Sequence, residues 1–258
     1  MPSYCRFEVP GGALYGVLAG ESIESLSGAP WAGGRATGKT FALREVRLLP
    51  PCEPTKIVCV GRNYRDHAAE LNNPVPREPL FFLKPPSALL APEDAIVLPP
   101  QSRRVDYEGE VALVIGQRCQ RLQAAENPLD YVFGFTCLND VTARDIQKAD
   151  GHFTRGKGFD TFCPLGPCVV AGLEAGGLTV ETFVNGQQRQ RGSLAELIFP
   201  LDVIIRSIAA VMTLEPGDVI ATGTPAGVGP LAAGDVVEVV VEGIGRLRNS
   251  VVAAAEPG

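Results

Sequence analysis

The sequence holds two histidines, two methionines and one tryptophan in 258 residues. With His67 and His152 as the only imidazoles, a three-histidine zinc site within one chain is excluded, and any metal must rest mainly on carboxylates. The seven cysteines stand at 5, 52, 59, 119, 137, 163 and 168, and no two form a CxxC pair. Such thiols read as reduced, small buried hydrophobes. Positive charge is also short: 23 basic against 29 acidic residues leave a net charge of −6, with a pI near 5.1. An acidic surface repels phosphate backbones, which argues against nucleic acid, and offers no polybasic patch to a membrane. No apolar run approaches the ~20 residues that span a bilayer. The opening MPSYCRFEVPGG has no apolar h-region, so no signal peptide is read and a cytoplasmic location is expected. At 45% hydrophobic and 20% charged residues, the composition excludes disorder for most of the chain.

What is present is a succession of short apolar runs. KIVCVG (56–61), PLFFLK (79–84), EVALVIG (110–116), YVFGFTCL (131–138) and CVVAG (168–172) are rich in Val, Ile and Phe and predict strands. Asn185-Gly186 after LTVETFV fits a type I′ hairpin turn, and a second hairpin is expected over 236–252 through Gly243 and Gly245. GAPWAGGRATGK reads as loop. Helices are fewer. Leu201, Ile204, Ile205, Ile208, Val211 and Met212 form one stripe at helical spacing, opened by Pro200 and closed by Glu215-Pro216-Gly217. A second short helix is expected from about Asn63 to Leu71. There is no regular βαβ alternation, so the expectation is an α+β, mainly β fold with few short helices. The prolines at 50, 51 and 54 mark an expected boundary between a small N-terminal β module, 1–54, and a larger domain, 55–258.

Five stretches carry candidate chemistry. In DYEGEVALVIG, Glu108 and Glu110 share one strand face by the period-2 rule, and Val111, Leu113 and Ile115 take the other. Two carboxylates side by side repel, and a cation removes that penalty; a solvated strand end with two exposed acids is the plainer alternative. Asp140 follows the apolar strand directly, where it is either a third carboxylate of an all-oxygen shell for Mg²⁺ or Mn²⁺ or a helix N-cap. His67 and Glu70, three apart on a helix, pair so that the acid can fix the imidazole tautomer of a general base, although incidental surface pairs are common. GHFTRGKG has the spacing of a phosphate loop, but Gly158 stands where Ser or Thr must follow the lysine, and the nucleotide reading fails. The alternative is a flexible loop presenting Lys157 to an anion. Backbone N–H groups of ATGTPAGVG, with the Thr222 and Thr224 hydroxyls, could also meet an anion.

The order of these stretches is more specific than any one of them. GRNYRDHAAE, FFLKPPSAL, DYEGEVALVIG, NDVTARDIQ, RGKGFDTFCPLGP and LEPGDVIATGTPAGVG, in that sequence, resemble the fumarylacetoacetate hydrolase family over roughly residues 56–252. The resemblance implies a mixed β-sandwich or rolled sheet, Mg²⁺ or Mn²⁺, a homodimer, and a small 2-oxo acid or enol as substrate. It implies Glu108, Glu110 and Asp140 as metal ligands, and His67, Glu70 and Lys157 as catalytic residues. Arg62, Tyr64, Arg144, Gln147 and Thr224 fall at substrate-binding positions. The larger hydrolases of the family carry a further aspartate before the histidine segment, and KIVCVGRNY has none. RGKGFDTFCPLGP is instead similar to the branch of 2-hydroxyhepta-2,4-diene-1,7-dioate isomerases and the related decarboxylases of aromatic catabolism. Acylpyruvate hydrolases share most of these motifs, and oxaloacetate decarboxylation or tautomerisation is a further alternative. A metal-dependent carboxylate-binding module is the non-enzymatic one.

Overall fold

The computed structural model describes residues 1–255. A mixed twelve-stranded sheet forms the centre, accompanied by a five-stranded and a three-stranded sheet. Across its middle lie, in order, Cys163–Val170, Val132–Asn139, Gly109–Ile115, Val219–Ala221, Ile57–Gly61 and the edge strand Leu80–Lys84. Val219–Ala221 runs parallel to Ile57–Gly61, and the other neighbours in this stretch are antiparallel. The α-helices among the described residues are Arg65–Glu70, Arg144–Asp150, Thr154–Lys157 and Leu201–Val211. The α+β, mainly β expectation holds.

The uninterrupted apolar run of Gly109–Ile115 follows from its position. Val111, Leu113 and Ile115 enter one core with Ile204, Ile205 and Ile208 of the long helix and with Val239 and Val241 of the five-stranded sheet. Ala112 and Val114 enter a second core with Cys59, Leu165 and Val219. A strand covered on both faces has no solvent side to mark with polar residues. Both hairpins form as expected. Asn185 and Gly186 have φ of 51° and 75°, the two left-handed residues of a type I′ turn, and Val236–Val241 returns as Gly245–Ala253.

The structure corrects several expected boundaries. The strand read as 168–172 is Cys163–Val170; Pro164 and Pro167, residues a central strand normally avoids, hid its first half. The loop-like ATGK lies in the exposed strand Ala36–Ala42, which has no buried face to impose an alternation. Val211 is exposed although the stripe included it. The helix ends there, and Met212, in extended backbone, packs against the core instead.

Within the expected N-terminal module, Ser3–Val9, Gly12–Ala19, Ser22–Leu26 and Ala36–Ala42 form a β-meander that extends the large sheet through pairing of Ser3 and Tyr4 with Val170 and Val169. Trp31 packs edge-on against Tyr15 and Phe133, at 5.6 and 5.5 Å. Where the meander meets the remainder, the fully buried Asp218 accepts hydrogen bonds from Thr55 N (2.9 Å), Thr55 Oγ1 (2.7 Å), Lys56 N (3.1 Å) and Glu215 N (2.8 Å), and pairs with Lys56 Nζ. All seven cysteines are buried and free, as expected. Burial pushes their thiols up, Cys168 to about 11 and Cys5 to about 12, which leaves them unreactive at neutral pH.

Candidate active site

The Glu108-Gly109-Glu110 segment sits where the chain passes from the three-stranded sheet (Val105–Tyr107) into the large one (Gly109–Ile115). Only glycine fits between the two acids: a Cβ at Gly109 would lie 2.0 Å from Thr182 Oγ1 of the crossing strand Thr179–Val184. The Gln190 amide clamps the crossing. Its Oε1 accepts from Gly109 N (3.0 Å) and its Nε2 donates to Thr224 Oγ1 (2.7 Å), which in turn donates to Gly109 O (2.8 Å). Asp140, one residue beyond Val132–Asn139, is tied back through its N–H to Glu108 O (2.8 Å). It is no helix cap, because the next helix starts at Arg144 with no side-chain cap. These constraints bring one carboxylate oxygen each from Glu108, Glu110 and Asp140 within 4.8 Å of one another, all three buried.

The three acids are not equally compensated. Lys157 Nζ donates to Glu108 Oε2 (2.8 Å) and Asp140 Oδ2 (2.5 Å). Lys84 Nζ donates to Asp140 Oδ1 (2.7 Å), and Arg144 pairs with both Glu108 and Asp106. Glu110 has no ion-pair partner among the described residues and accepts one backbone hydrogen bond, from Gly223 N (2.7 Å). Burial first, then the neighbouring Asp140, push Glu110 well above the usual carboxylate range. Burial works against ionisation of Glu108 too, but Lys157 and Arg144 outweigh it and hold that acid below the usual range. Burial opposes the charge of Lys157, yet Asp140 and Glu108 raise its pKa, so it stays an ammonium. Three clustered carboxylates, one lacking a countercharge, are a donor set that fits a hard divalent cation such as Mg²⁺ or Mn²⁺.

The acids form one wall of a cavity of about 240 Å³. His67, Arg62, Arg144, Gln147, Lys157 and Thr224 also line it. His67, in Arg65–Glu70, is buried, with Nδ1 3.4 Å from Glu70 Oε2. Burial lowers its pKa against the opposing pull of Glu108 and Glu70, which keeps the imidazole neutral. Glu70 also accepts from Gly227 N at 3.1 Å. The glycine-rich turn thus holds two carboxylates of its own chain, Glu110 and Glu70, and the Thr222 hydroxyl is spent on Val111 O (2.7 Å). The expected reach of the Gly223 and Gly227 N–H groups and of the Thr222 hydroxyl toward an external anion is corrected accordingly. Lys157 is no flexible loop residue: it ends the short helix Thr154–Lys157 and is buried, because two acids await it. Arg144 and Gln147 are joined through Nη1 and Oε1 at 2.7 Å. Tyr64 is buried outside the cavity lining, its hydroxyl without a partner.

Sequence reasoning missed Lys84, Asp106 and Gln190. Lys84 sits in PLFFLK as an apparent strand-end lysine, and its 1% exposure arises only because the edge strand lies against Asp140. Phe82 and Phe153 stack at 4.5 Å on the same cavity wall, with Lys157 Nζ 5.0 Å from the Phe82 ring.

Residues 56–252 match the model of the fumarylacetoacetate (FAA) hydrolase C-terminal family, and residues 3–51 match the Rv2993c-like N-terminal family. The chain belongs to the fumarylacetoacetate hydrolase family and is an enzyme of it. It is 42% identical over 226 residues to the oxaloacetate tautomerase YisK of Bacillus subtilis, covering 82% of this chain and 75% of that one. The crystal structure of 2-hydroxyhepta-2,4-diene-1,7-dioate isomerase from Mycobacterium marinum superposes with a TM-score of 0.91 at 40% identity, over 99% of this chain and 100% of that one. That of maleylpyruvate hydrolase from Sphingobium sp. SYK-6, in complex with manganese(II) and pyruvate, superposes at 0.80 and 32%, over 98% and 100%. No helix among the described residues is long and apolar enough to cross a membrane.

Proposed function

We propose that the chain is a Mg²⁺- or Mn²⁺-dependent enzyme that enolises short 2-oxo dicarboxylic acids, as an isomerase or decarboxylase of the 2-hydroxyhepta-2,4-diene-1,7-dioate type in aromatic catabolism. The observation that carries this reading is the convergence of Glu108, Glu110 and Asp140 on one cavity that also receives Lys157 and His67. A cation held by the three acids would act as a Lewis acid toward the 2-oxo oxygen and acidify the neighbouring C3–H. His67, neutral and oriented through Nδ1 by Glu70, takes the proton on its other ring nitrogen. Lys157 places fixed positive charge beside the developing oxyanion. Arg144 holds Glu108 in place, and Thr224 holds the Gly109 carbonyl between the two glutamates. Oxaloacetate tautomerisation, the activity named for YisK, needs the same proton transfer and falls within the same reading. The maleylpyruvate hydrolase neighbour favours a second one, C–C hydrolysis, in which His67 delivers its base strength to water. The homodimer belongs to the proposal as well, and light scattering on the eluted protein tests it.

Proton NMR of acetylpyruvate in D₂O with Mg²⁺ and the protein separates the two readings. Chelator-sensitive deuterium exchange at C3 without cleavage is the expected result. Release of acetate and pyruvate would transfer the assignment to acylpyruvate hydrolysis, and neither exchange nor cleavage, with oxaloacetate tried as well, would overturn both.

A further inference from the structure

The cavity is also lined by basic side chains that none of its acids neutralises. Arg144, Gln147, Lys148 and Gly151 all line it, at the i, i+3, i+4 and i+7 positions that share a helix face. This face runs from the buried Arg144 to the exposed Lys148, Gly151 and His152. Four residues of helix separate Arg144 from Lys148 by about 6 Å along the axis, roughly the length of a short dicarboxylate. Arg62 lines the same cavity from the turn between Ile57–Gly61 and Arg65–Glu70. Its φ is 57°, a left-handed conformation that costs an arginine about 1 kcal/mol and persists where the surroundings impose it. Arg144 and Lys157 are spent on the acids, whereas Arg62 and Lys148 form no ion pair among the described residues. Cations without countercharge along a ligand cavity are complementary to an anionic group that arrives with the ligand.

We propose that Arg62 and Lys148, with His152 beside them, form a subsite for the second carboxylate of the substrate, and that this subsite selects 2-oxo dicarboxylic acids over 2-oxo acids with an uncharged tail. This rests on the enolising function proposed above, and goes beyond it by naming the residues that set the substrate class. The acids and Lys157 serve the 2-oxo acid end, which every substrate of the class shares; Arg62 and Lys148 serve the end that differs. A charge-assisted hydrogen bond at such a site changes affinity by about tenfold.

Oxaloacetate and 2-oxobutanoate make the test, because they share the 2-oxo acid and the C3 hydrogens and differ in a carboxylate against a methyl group. Enzyme-dependent C3 exchange in D₂O with Mg²⁺, above the enzyme-free rate, is read for both. The expected kcat/KM ratio favours oxaloacetate at least tenfold in the wild type. It collapses at least fivefold in Arg62→Met and in Lys148→Met, with the loss in KM for oxaloacetate. A wild-type ratio near one, or a ratio that neither variant moves, overturns the subsite. If neither compound exchanges, the enolising function fails, and calorimetric titration of the same two compounds still decides the subsite. Tighter binding of oxaloacetate that both variants weaken sustains it, and equal dissociation constants overturn it.

Discussion

Asp218 stands one residue before Val219–Ala221, the strand paired with the one that carries Glu110, and the two acids are 0% and 2% exposed. Asp218 receives five donors: three backbone N–H groups, a hydroxyl and an ammonium. Glu110 receives one. A carboxylate saturated by its own chain is a structural staple, whereas one left short of donors beside two other acids is held in reserve for something outside the chain. The five donors of Asp218 come from residues 55, 56 and 215, where the N-terminal meander joins the rest. Glu110 faces the cavity.

The contrast can be broken at either acid. The largest effect is expected from Glu110→Gln, which removes a cation ligand and keeps the shape. Metal-dependent turnover should fall by about 10³-fold, the several kcal/mol that Lewis-acid assistance supplies, and the rise in Tm on adding Mg²⁺ should vanish, while the Tm of the metal-free protein holds or increases. His67→Ala, on the same cavity, should lower kcat by roughly 10²–10⁴-fold with the fold intact by circular dichroism. Asp218→Ala should do the reverse. Five donors lose their acceptor, including Lys56, and chemical denaturation should register a loss of about 3–5 kcal/mol, or a Tm lower by roughly 10 °C, with turnover measured below the transition little changed.

The pH dependence of stability sharpens the comparison. The folded-state pKa of Glu110 is raised above its ordinary value of 4.5. The stability tied to its protonated form is therefore present below about 4.5 and is lost as pH rises toward the folded-state value. Metal-free wild type should thus lose stability against Glu110→Gln as pH rises from 4.5, and a difference that stays flat would remove Glu110 from this account. The smallest effect is expected at the exposed Arg155–Asp150 pair, two residues from Lys157. Arg155→Ala should leave Tm nearly unchanged, which thermal unfolding can measure.

Much of this was legible in advance where local rules suffice. Asn185-Gly186 forms its turn because both residues tolerate positive φ, and the stripe from Leu201 to Ile208 buries because its period matches the helix. Glu108 and Glu110 share a face because strands alternate. The prolines in CPLGP obscured a strand whose pairing is decided by its neighbours. Lys84 and Gln190 carried no signal, because a lysine at a strand end and a glutamine in QQRQR are ordinary surface residues until other strands cross them.

Residue order alone determined the β-rich class, the reduced cysteines, the carboxylate character of any metal site and the family. The first three follow from composition, periodicity and spacing, which act over a few residues or over the chain as a whole, and the family from the order of six motifs that resemble it. Only the tertiary structure decided that Lys157 is buried between two acids, that Glu110 lacks a countercharge, that the glycine-rich turn grips Glu70 and Glu110, and that Arg62 and Lys148 line one cavity. Charge compensation depends on distances of a few ångströms between segments as much as 163 residues apart, as between Asp218 and Thr55, and such distances exist only once the sheets have closed around them.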